Sequence, residues 1–393
     1  MKKILKITLK ILLALVGLVV AATLTLGAAV LVSSVRVKKA FGRAQLEHIA
    51  ALEAAYGAPD YAPAGEETMT GFDAQAAAEN GARFNELRFI ATHNSYKAYN
   101  PFADTLMRRV IGPLGFAYDE EGREWAYGFE PLSDQLDHGI RSFELDVMRE
   151  KKGLRCAHIP LVDYASNCPD FRLALREIAL WSDAHPGHLP ITVLVESKGT
   201  VLSGGMLLHN FSLDDVLFLE DMAAGALGER LYTPADMLGA YADFIEMRTE
   251  GEYPLLADML GKILVIYHYS GPVSEAYAAA DPSLRTQKMF STMAQWYDGD
   301  EDDFWPATDL NQSYACFGID NWSESPALEV NAREHNMLVR TRCDTFPWRD
   351  DAWEAQALAT GAFILTTDWP PRGDLGDDPH VVTFPGGATA AYR

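Results

Sequence analysis

The sequence predicts an α/β fold of βα units around a parallel sheet, the size of one (β/α) barrel, behind an N-terminal transmembrane helix. Three observations predict it. Short apolar strands recur along the chain with helical stretches between them, the pattern of repeated βα units. Several of these strands end in polar residues, and the C-terminal strand ends are where such barrels build their sites. An apolar run from Ile11 to Val35 exceeds the roughly 20 residues that cross a bilayer. A chain of 393 residues holds a barrel of about 250 residues with room for extensions.

In chain order the N-terminal segment comes first. Lys2, Lys3, Lys6 and Lys10 precede the apolar run, and Arg36, Lys38, Lys39 and Arg43 follow it. The run is longer than the core of a cleaved signal, about 7–15 residues, so it reads as an uncleaved signal anchor, with a cleaved signal as the alternative. Counting basic residues gives four on each side, which leaves orientation open. The domain reading is a membrane anchor or signal segment at 1–39, a helix and linker at 40–81, and the barrel at 82–393. Phe41 to Tyr56 has helical apolar spacing, and Gly57 to Glu67 reads as linker.

The expected strands are Leu87–Ala91, Ser142–Val147, Ile191–Glu196, Ile263–His268, Tyr314–Ile319, Leu338–Arg342 and Phe363–Thr367. Phe171–His185 and Ala352–Thr360 are expected helices. Pro101–Trp125 reads as a loop-like insertion. The acidic run Asp298–Asp303 lacks the turn glycine and terminal Glu of an EF-hand loop, so it reads as a solvated loop.

The chain carries 33 basic and 55 acidic residues, and residues 1–43 hold eight of the basic ones and none of the acidic. The rest is strongly anionic, which argues against nucleic acid as a partner. No protein partner is indicated. An anionic substrate then depends on a local cation or local basic groups. Four cysteines, Cys156, Cys168, Cys316 and Cys343, follow an export-type segment. An even count in that setting reads as disulfides in an oxidising compartment, with 156–168 and 316–343 the favoured pairs and free buried thiols the alternative. The expected location is membrane-anchored with the barrel outside the cytoplasm, or secreted after cleavage.

The chemistry-bearing residues cluster at strand ends. In Ser142-Phe143-Glu144-Leu145-Asp146-Val147, the period of two puts Glu144 and Asp146 on one face and the apolar residues on the other. Two carboxylates side by side in a barrel mouth repel unless a cation or proton lies between them; pairing with Arg141 or Arg149 is the alternative. Glu196 and Lys198 share a face at the end of the next strand, and the first strand runs into His93 and Asn94. Asn94, Glu144, Asp146 and Glu196 are all oxygen donors, a set that suits Ca²⁺, with Mg²⁺ second, over zinc. His93 and His158, placed beside these strands, are the candidate acid/base pair; His268 is a weaker candidate. Arg340 and Arg342 alternate with Thr341, so both can face inward, for phosphate binding or for pairing with Asp344 or Asp368.

Thr92-His93-Asn94-Ser95-Tyr96, Glu144-Leu145-Asp146, His158 and Glu196-Ser197-Lys198 together resemble the catalytic half of the phosphoinositide phospholipase C family. The Cys156…Cys168 stretch, Arg340-Thr341-Arg342-Cys343-Asp344 and Thr366-Thr367-Asp368-Trp369-Pro370 resemble its secreted, calcium-dependent microbial branch, over residues 85–372. The resemblance implies a TIM-like barrel of the phospholipase C-like phosphodiesterase kind. It implies catalysis by His93 and His158, calcium held by Asn94, Glu144, Asp146 and Glu196, and Lys198 near phosphate. The implied reaction cleaves phosphatidylinositol to diacylglycerol and a 1,2-cyclic inositol phosphate. A membrane phospholipid or a soluble phosphodiester is the expected substrate.

Two rival readings stand beside it. A barrel acting on glycerophosphodiesters usually opens with His-Arg where this chain has His93-Asn94. A non-catalytic lipid- or glycan-binding barrel has no need of a paired acid and base.

Overall fold

The computed structural model describes residues 2–115, 121–157, 159, 162–198, 210–250, 252–268, 271–293, 312–324, 326–373 and 379–393. Asp298–Asp303 lies outside them. Among the described residues there are ten strands: β1 Leu87–Thr92, β2 Ser142–Glu150, β3 Gly153–Cys156, β4 Ile191–Ser197, β5 Ile263–Tyr267, β6 Phe290–Ser291, β7 Phe317–Ile319, β8 Leu338–Arg342, β9 Ile364–Thr367 and β10 Ala390–Tyr392. They form two five-stranded sheets, in the orders β10-β1-β9-β8-β7 and β3-β2-β4-β5-β6. Within each sheet the pairs are parallel except for β3 on β2 and β10 on β1.

The sheets face each other across a common apolar core, in which Leu194, Ile266 and Phe290 of one meet Phe89, Phe317 and Leu338 of the other. The parallel strands thus follow chain order around this core, a TIM-like arrangement. They do not merge into one closed ladder. At one seam a single bridge joins Thr292 to Phe317, because β6 and β7 are only two and three residues long. At the other seam, Ser95 N–H donates to Glu144 O at 3.0 Å.

The pleat sorts side chains into two layers. Phe143, Leu145 and Val147 of β2, with Ile191, Val193 and Val195 of β4, pack outward against helices such as Phe171–Ala184. That helix starts where the Asp170 carboxylate accepts from Leu173 N–H at 3.1 Å, a cap worth about 1 kcal/mol. Its buried stripe includes Leu175, Ile178 and Trp181. Alternate residues of the same strands point inward, and there the apolar core gives way to Glu144, Asp146 and Glu196 at the strand ends.

The N-terminal helix runs unbroken from Lys2 to Tyr56, 55 residues, across the expected boundary at 39. Its first part is long and apolar enough to cross a membrane and lies exposed. Its last part is docked on the body. Lys38 Nζ reaches Glu150 at 2.8 Å; Gln45 exchanges two hydrogen bonds with the Asp170 backbone, at 2.9 and 3.0 Å; Ile49 is buried. His48 Nε2 meets Ser133 Oγ at 2.8 Å and the buried Glu177 at 3.2 Å.

Two expectations need correction. The insertion Pro101–Trp125 is largely helical where described, with turns at Pro101–Leu106, Met107–Ile111, Gly112–Leu114 and Arg123–Trp125. Asn100 caps the first of them, accepting from Phe102 and Ala103 N–H, and Ala103, Met107 and Trp125 make a small core of their own. All four cysteines are free and buried, and of the two expected disulfides the 316–343 pair is the one the fold rules out. Cys156 and Cys168 are neighbours whose thiols interact, but Cys316 and Cys343 are out of reach. With Phe317 opposite Leu338, Cys316 faces Met337 and Cys343 lies six residues beyond that, roughly 20 Å at strand rise, whereas bridged Cα atoms are under about 7 Å apart.

The hydrogen bond to Glu177, partly offset by burial, raises the pKa of His48 above its ordinary value. A raised histidine contributes stability that is complete below its unfolded value of about 6.5 and is lost as pH rises through the folded value. His48→Gln should therefore destabilise the docked body by about 1–3 kcal/mol at pH 6 and by less at pH 9. Urea unfolding at both pH values checks this; equal losses would contradict it.

Candidate active site

β1 ends in a tight turn that Ser95 pins to β2. Its hydroxyl donates to Thr92 O at 3.1 Å and accepts from Glu144 N–H at 2.9 Å. Asn94 takes a left-handed backbone there, φ 52°, a conformation asparagine tolerates better than most residues. The turn sets His93 and Asn94 at the inner face, both buried.

Across the seam, Asp146 of β2 sits directly opposite Glu196 of β4 in the parallel register. Glu144, Asp146 and Glu196 each offer an oxygen within 4.8 Å of the others. Lys198 Nζ lies 2.6 Å from Glu196 Oε1 and 3.2 Å from Asp146 Oδ2, and Arg340 pairs with Glu144. Tyr96 OH donates to Asp146 Oδ2 at 2.6 Å and lies 3.0 Å from Asn94 Oδ1. Burial opposes the charge on Glu144, yet Arg340, with His93 and Arg342 beyond it, holds its carboxyl down at about 2. Asp146 goes the other way. Burial, with Glu196 and Glu144 alongside, outweighs Lys198 and Tyr96 and pushes its pKa up to about 7.

This donor set fits a calcium ion. Three carboxylates face two cationic side chains, so one negative charge is left over among them. Asp146 Oδ1 is buried with no hydrogen-bond partner among the described residues, a costly state for a carboxylate oxygen unless a cation takes it. Hard oxygen donors without sulfur or nitrogen match calcium's preference.

His93 is oriented from both sides. Its Nδ1 lies 3.0 Å from Asp368 Oδ1. Its Nε2 lies 2.7 Å from Arg342 Nη2, 3.2 Å from Asn94 Nδ2 and 4.0 Å from Glu144 Oε1. Arg342 can only donate, so the partners assign the proton to Nδ1 and the lone pair to Nε2.

The expected residues His93, Asn94, Glu144, Asp146, Glu196, Lys198, Arg340 and Arg342 thus converge on one mouth. Neither arginine pairs with Asp344 or Asp368: Arg340 takes Glu144 and Asn321, and Arg342 takes His93. The alternative partners of the acids are committed elsewhere, Arg141 to Glu66 and Arg149 to Asp215. His268 follows β5; burial raises the Glu196 pKa, but Lys198 first and then His268 bring it below the ordinary value. His158 lies outside the described residues; its neighbour Ala157 donates its N–H to Asp146 O at 3.3 Å. Sequence reasoning missed Asp368 and Tyr96 as site members. Asp368, directly after the polar end of β9, carried the same strand-end signal as Glu196.

Because the folded pKa of Asp146 is raised, the metal-free protein loses this group's contribution as pH climbs from about 4 towards about 7. Calcium requires the carboxylate form and displaces that proton. The calcium-induced rise in melting temperature should be clearly larger at pH 8 than at pH 5.5, and Asp146→Asn should abolish most of it. Equal shifts at both pH values would contradict the ligand role.

Comparison with known proteins agrees with this geometry. The family model for phosphoinositide phospholipase C, Ca²⁺-dependent, matches residues 82–157 and 148–393. Among solved structures, the chain is similar to a calcium-dependent phosphoinositol-specific phospholipase C from the Gram-negative bacterium Pseudomonas sp., at 18% identity and TM-score 0.52, covering 84% of this chain and 100% of that one. It is also similar to the calcium-dependent phosphatidylinositol-specific enzyme of Streptomyces antibioticus, at 20% identity and TM-score 0.50, covering 73% and 95%. No curated protein sequence matches. The structural likenesses show a shared fold, and the family match spans most of the chain: this protein belongs to the calcium-dependent phosphoinositide phospholipase C family of phosphodiesterases.

Proposed function

We propose that the protein cleaves phosphatidylinositol to diacylglycerol and a 1,2-cyclic inositol phosphate, with His93 and His158 as the acid/base pair. The observation that carries this reading is the setting of His93, its Nδ1 held by Asp368 at 3.0 Å and its Nε2 turned toward the carboxylate cluster. An imidazole so fixed keeps its lone pair on Nε2, where substrate would displace the Arg342 contact and exchange a proton.

In this reading His93 Nε2 takes the proton of the inositol 2-hydroxyl as its oxygen attacks phosphorus. The bond from phosphorus to the diacylglycerol oxygen breaks, and His158 returns a proton to that oxygen. Asp368 holds the ring and stabilises the imidazolium that forms. Asn94, Glu144, Asp146 and Glu196 would hold calcium, which supplies charge that neutralises phosphate oxygens and lowers the 2-hydroxyl pKa. Lys198, held charged because Asp146 and Glu196 outweigh its burial, turns to a phosphate oxygen. Arg340 keeps Glu144 ionised and in place. Arg342, already beside His93 Nε2, presents a second cation to the phosphate.

His93→Ala should lower turnover about 10²–10⁴-fold with calcium binding retained, and Asp368→Asn should lower it less while changing the pH profile. Phosphorus spectra of the products test the chemistry: a calcium-dependent cyclic phosphate is expected. Full activity of His93→Ala, or an acyclic phosphate as first product, would refute the scheme.

The N-terminal helix is proposed as a membrane anchor with the barrel outside the cytoplasm. In that compartment Cys156 and Cys168, already neighbours, would form a disulfide, and Cys316 and Cys343 would stay reduced. Thiol titration of the unfolded native protein should then count two thiols; a count of four would contradict this placement.

A further inference from the structure

The N-terminal helix does more than lead up to the barrel, because its direction along the body is fixed. Gln45 meets Asp170, His48 meets Glu177, Glu53 meets Arg176, and the ring of Tyr56 meets His185. From Gln45 at Asp170 to Tyr56 at His185 the numbers rise on both sides, with the contacts to Glu177 and Arg176 between them, so the helix runs parallel to Phe171–Ala184. That helix precedes β4 and so descends from the mouth end of the strands to their starting end. The N-terminal helix descends with it, and its apolar segment therefore leaves the body at the mouth.

The exit level is given by Lys38. Its partner Glu150 ends β2, four residues beyond Asp146, roughly 13 Å further along the strand. Lys38 also lies 3.8 Å from the Tyr164 ring centre, and Val37 packs against Met148, Ala157 and Tyr164. The apolar run ends at Val35, about one helical turn away. From Arg36 to Tyr56 the docked segment covers about 31 Å. The loops at that end expose large apolar side chains: Leu114 after β1, 62% exposed, Trp322 after β7, 42%, and Trp348 after β8, 43%. Such residues suit a bilayer interface.

We infer that the docked helix is a strut that turns the catalytic mouth toward the bilayer its own N-terminal segment spans, so that the occupant of the Leu114, Trp322 and Trp348 rim is that lipid surface. This rests on the anchor reading proposed above. It answers a problem set by charge. With eight basic and no acidic residues before position 44, the body carries 25 basic against 55 acidic residues and is repelled by anionic lipid. A fixed mouth facing its own leaflet keeps the local lipid concentration high without electrostatic attraction.

The test uses the full chain in phosphatidylcholine vesicles containing a fluorescent acceptor lipid. The native cysteines are all buried, so single donor labels can be placed at L114C on the mouth side or L255C at the opposite end, where Leu255 bridges Arg83 ahead of β1. Energy transfer should be strong from position 114 and weak from 255, which lie at opposite ends of the strands. Combining L114C with K38E, Q45A and H48A should leave the chain vesicle-bound but lower its transfer. Equal transfer from both labels, stronger transfer from 255, or unchanged transfer in the undocked variant overturns the strut. A chain that does not float with vesicles removes the anchor reading and the strut with it.

Discussion

The arrangement depends on one electrostatic constraint: three carboxylates point inward from neighbouring strands into a mouth that excludes most water. Glu144 and Asp146 share a strand, and Asp146 and Glu196 face each other in register. Their repulsion at this depth has to be balanced locally. Arg340 balances Glu144, and Lys198 bridges Asp146 and Glu196. The remaining charge shows as the raised pKa of Asp146 and its unpartnered oxygen. A dication resolves both, which is why the family's calcium dependence and this chain's geometry agree.

The rest of the site is built around that cluster. Ser95 fastens the end of β1 to Glu144 and so sets His93 4.0 Å from the Glu144 carboxylate. Asp368, directly after the last strand of the parallel set, and Arg342, from the strand beside it, fix opposite edges of the imidazole. The contributors come from the ends of five strands, β1, β2, β4, β8 and β9. Chemistry is therefore assembled only when the strands have closed around their common core, and the fold and the site stand or fall together.

Much of this was legible in the sequence because strand periodicity is a local signal. The alternation in 142–147 separated the buried apolar layer from the inward carboxylates, and the polar ends of β1, β4 and β8 marked the mouth. What was not legible is what depends on distant partners. Strands of two to four residues, β3, β6 and β10, are too short to show a period. The helical turns in 101–125 depend on a cap at Asn100 and a small local core. Glu144 and Arg340 are 196 positions apart, and His93 and Asp368 are 275 apart, so no window of sequence joins them. The expected 316–343 disulfide failed for the same reason: register, not spacing, decides which cysteines meet.

Calcium on these carboxylates would compete with Lys198, whose Nζ lies between Asp146 and Glu196. The most direct measurement is a crystal structure of the protein soaked in calcium, with anomalous scattering used to place the ion. One ion should be bound by Glu144, Asp146, Glu196 and Asn94 at about 2.3–2.6 Å, with Lys198 Nζ moved off Asp146. An ion bound elsewhere, or a cluster still closed by Lys198 at saturating calcium, would contradict it.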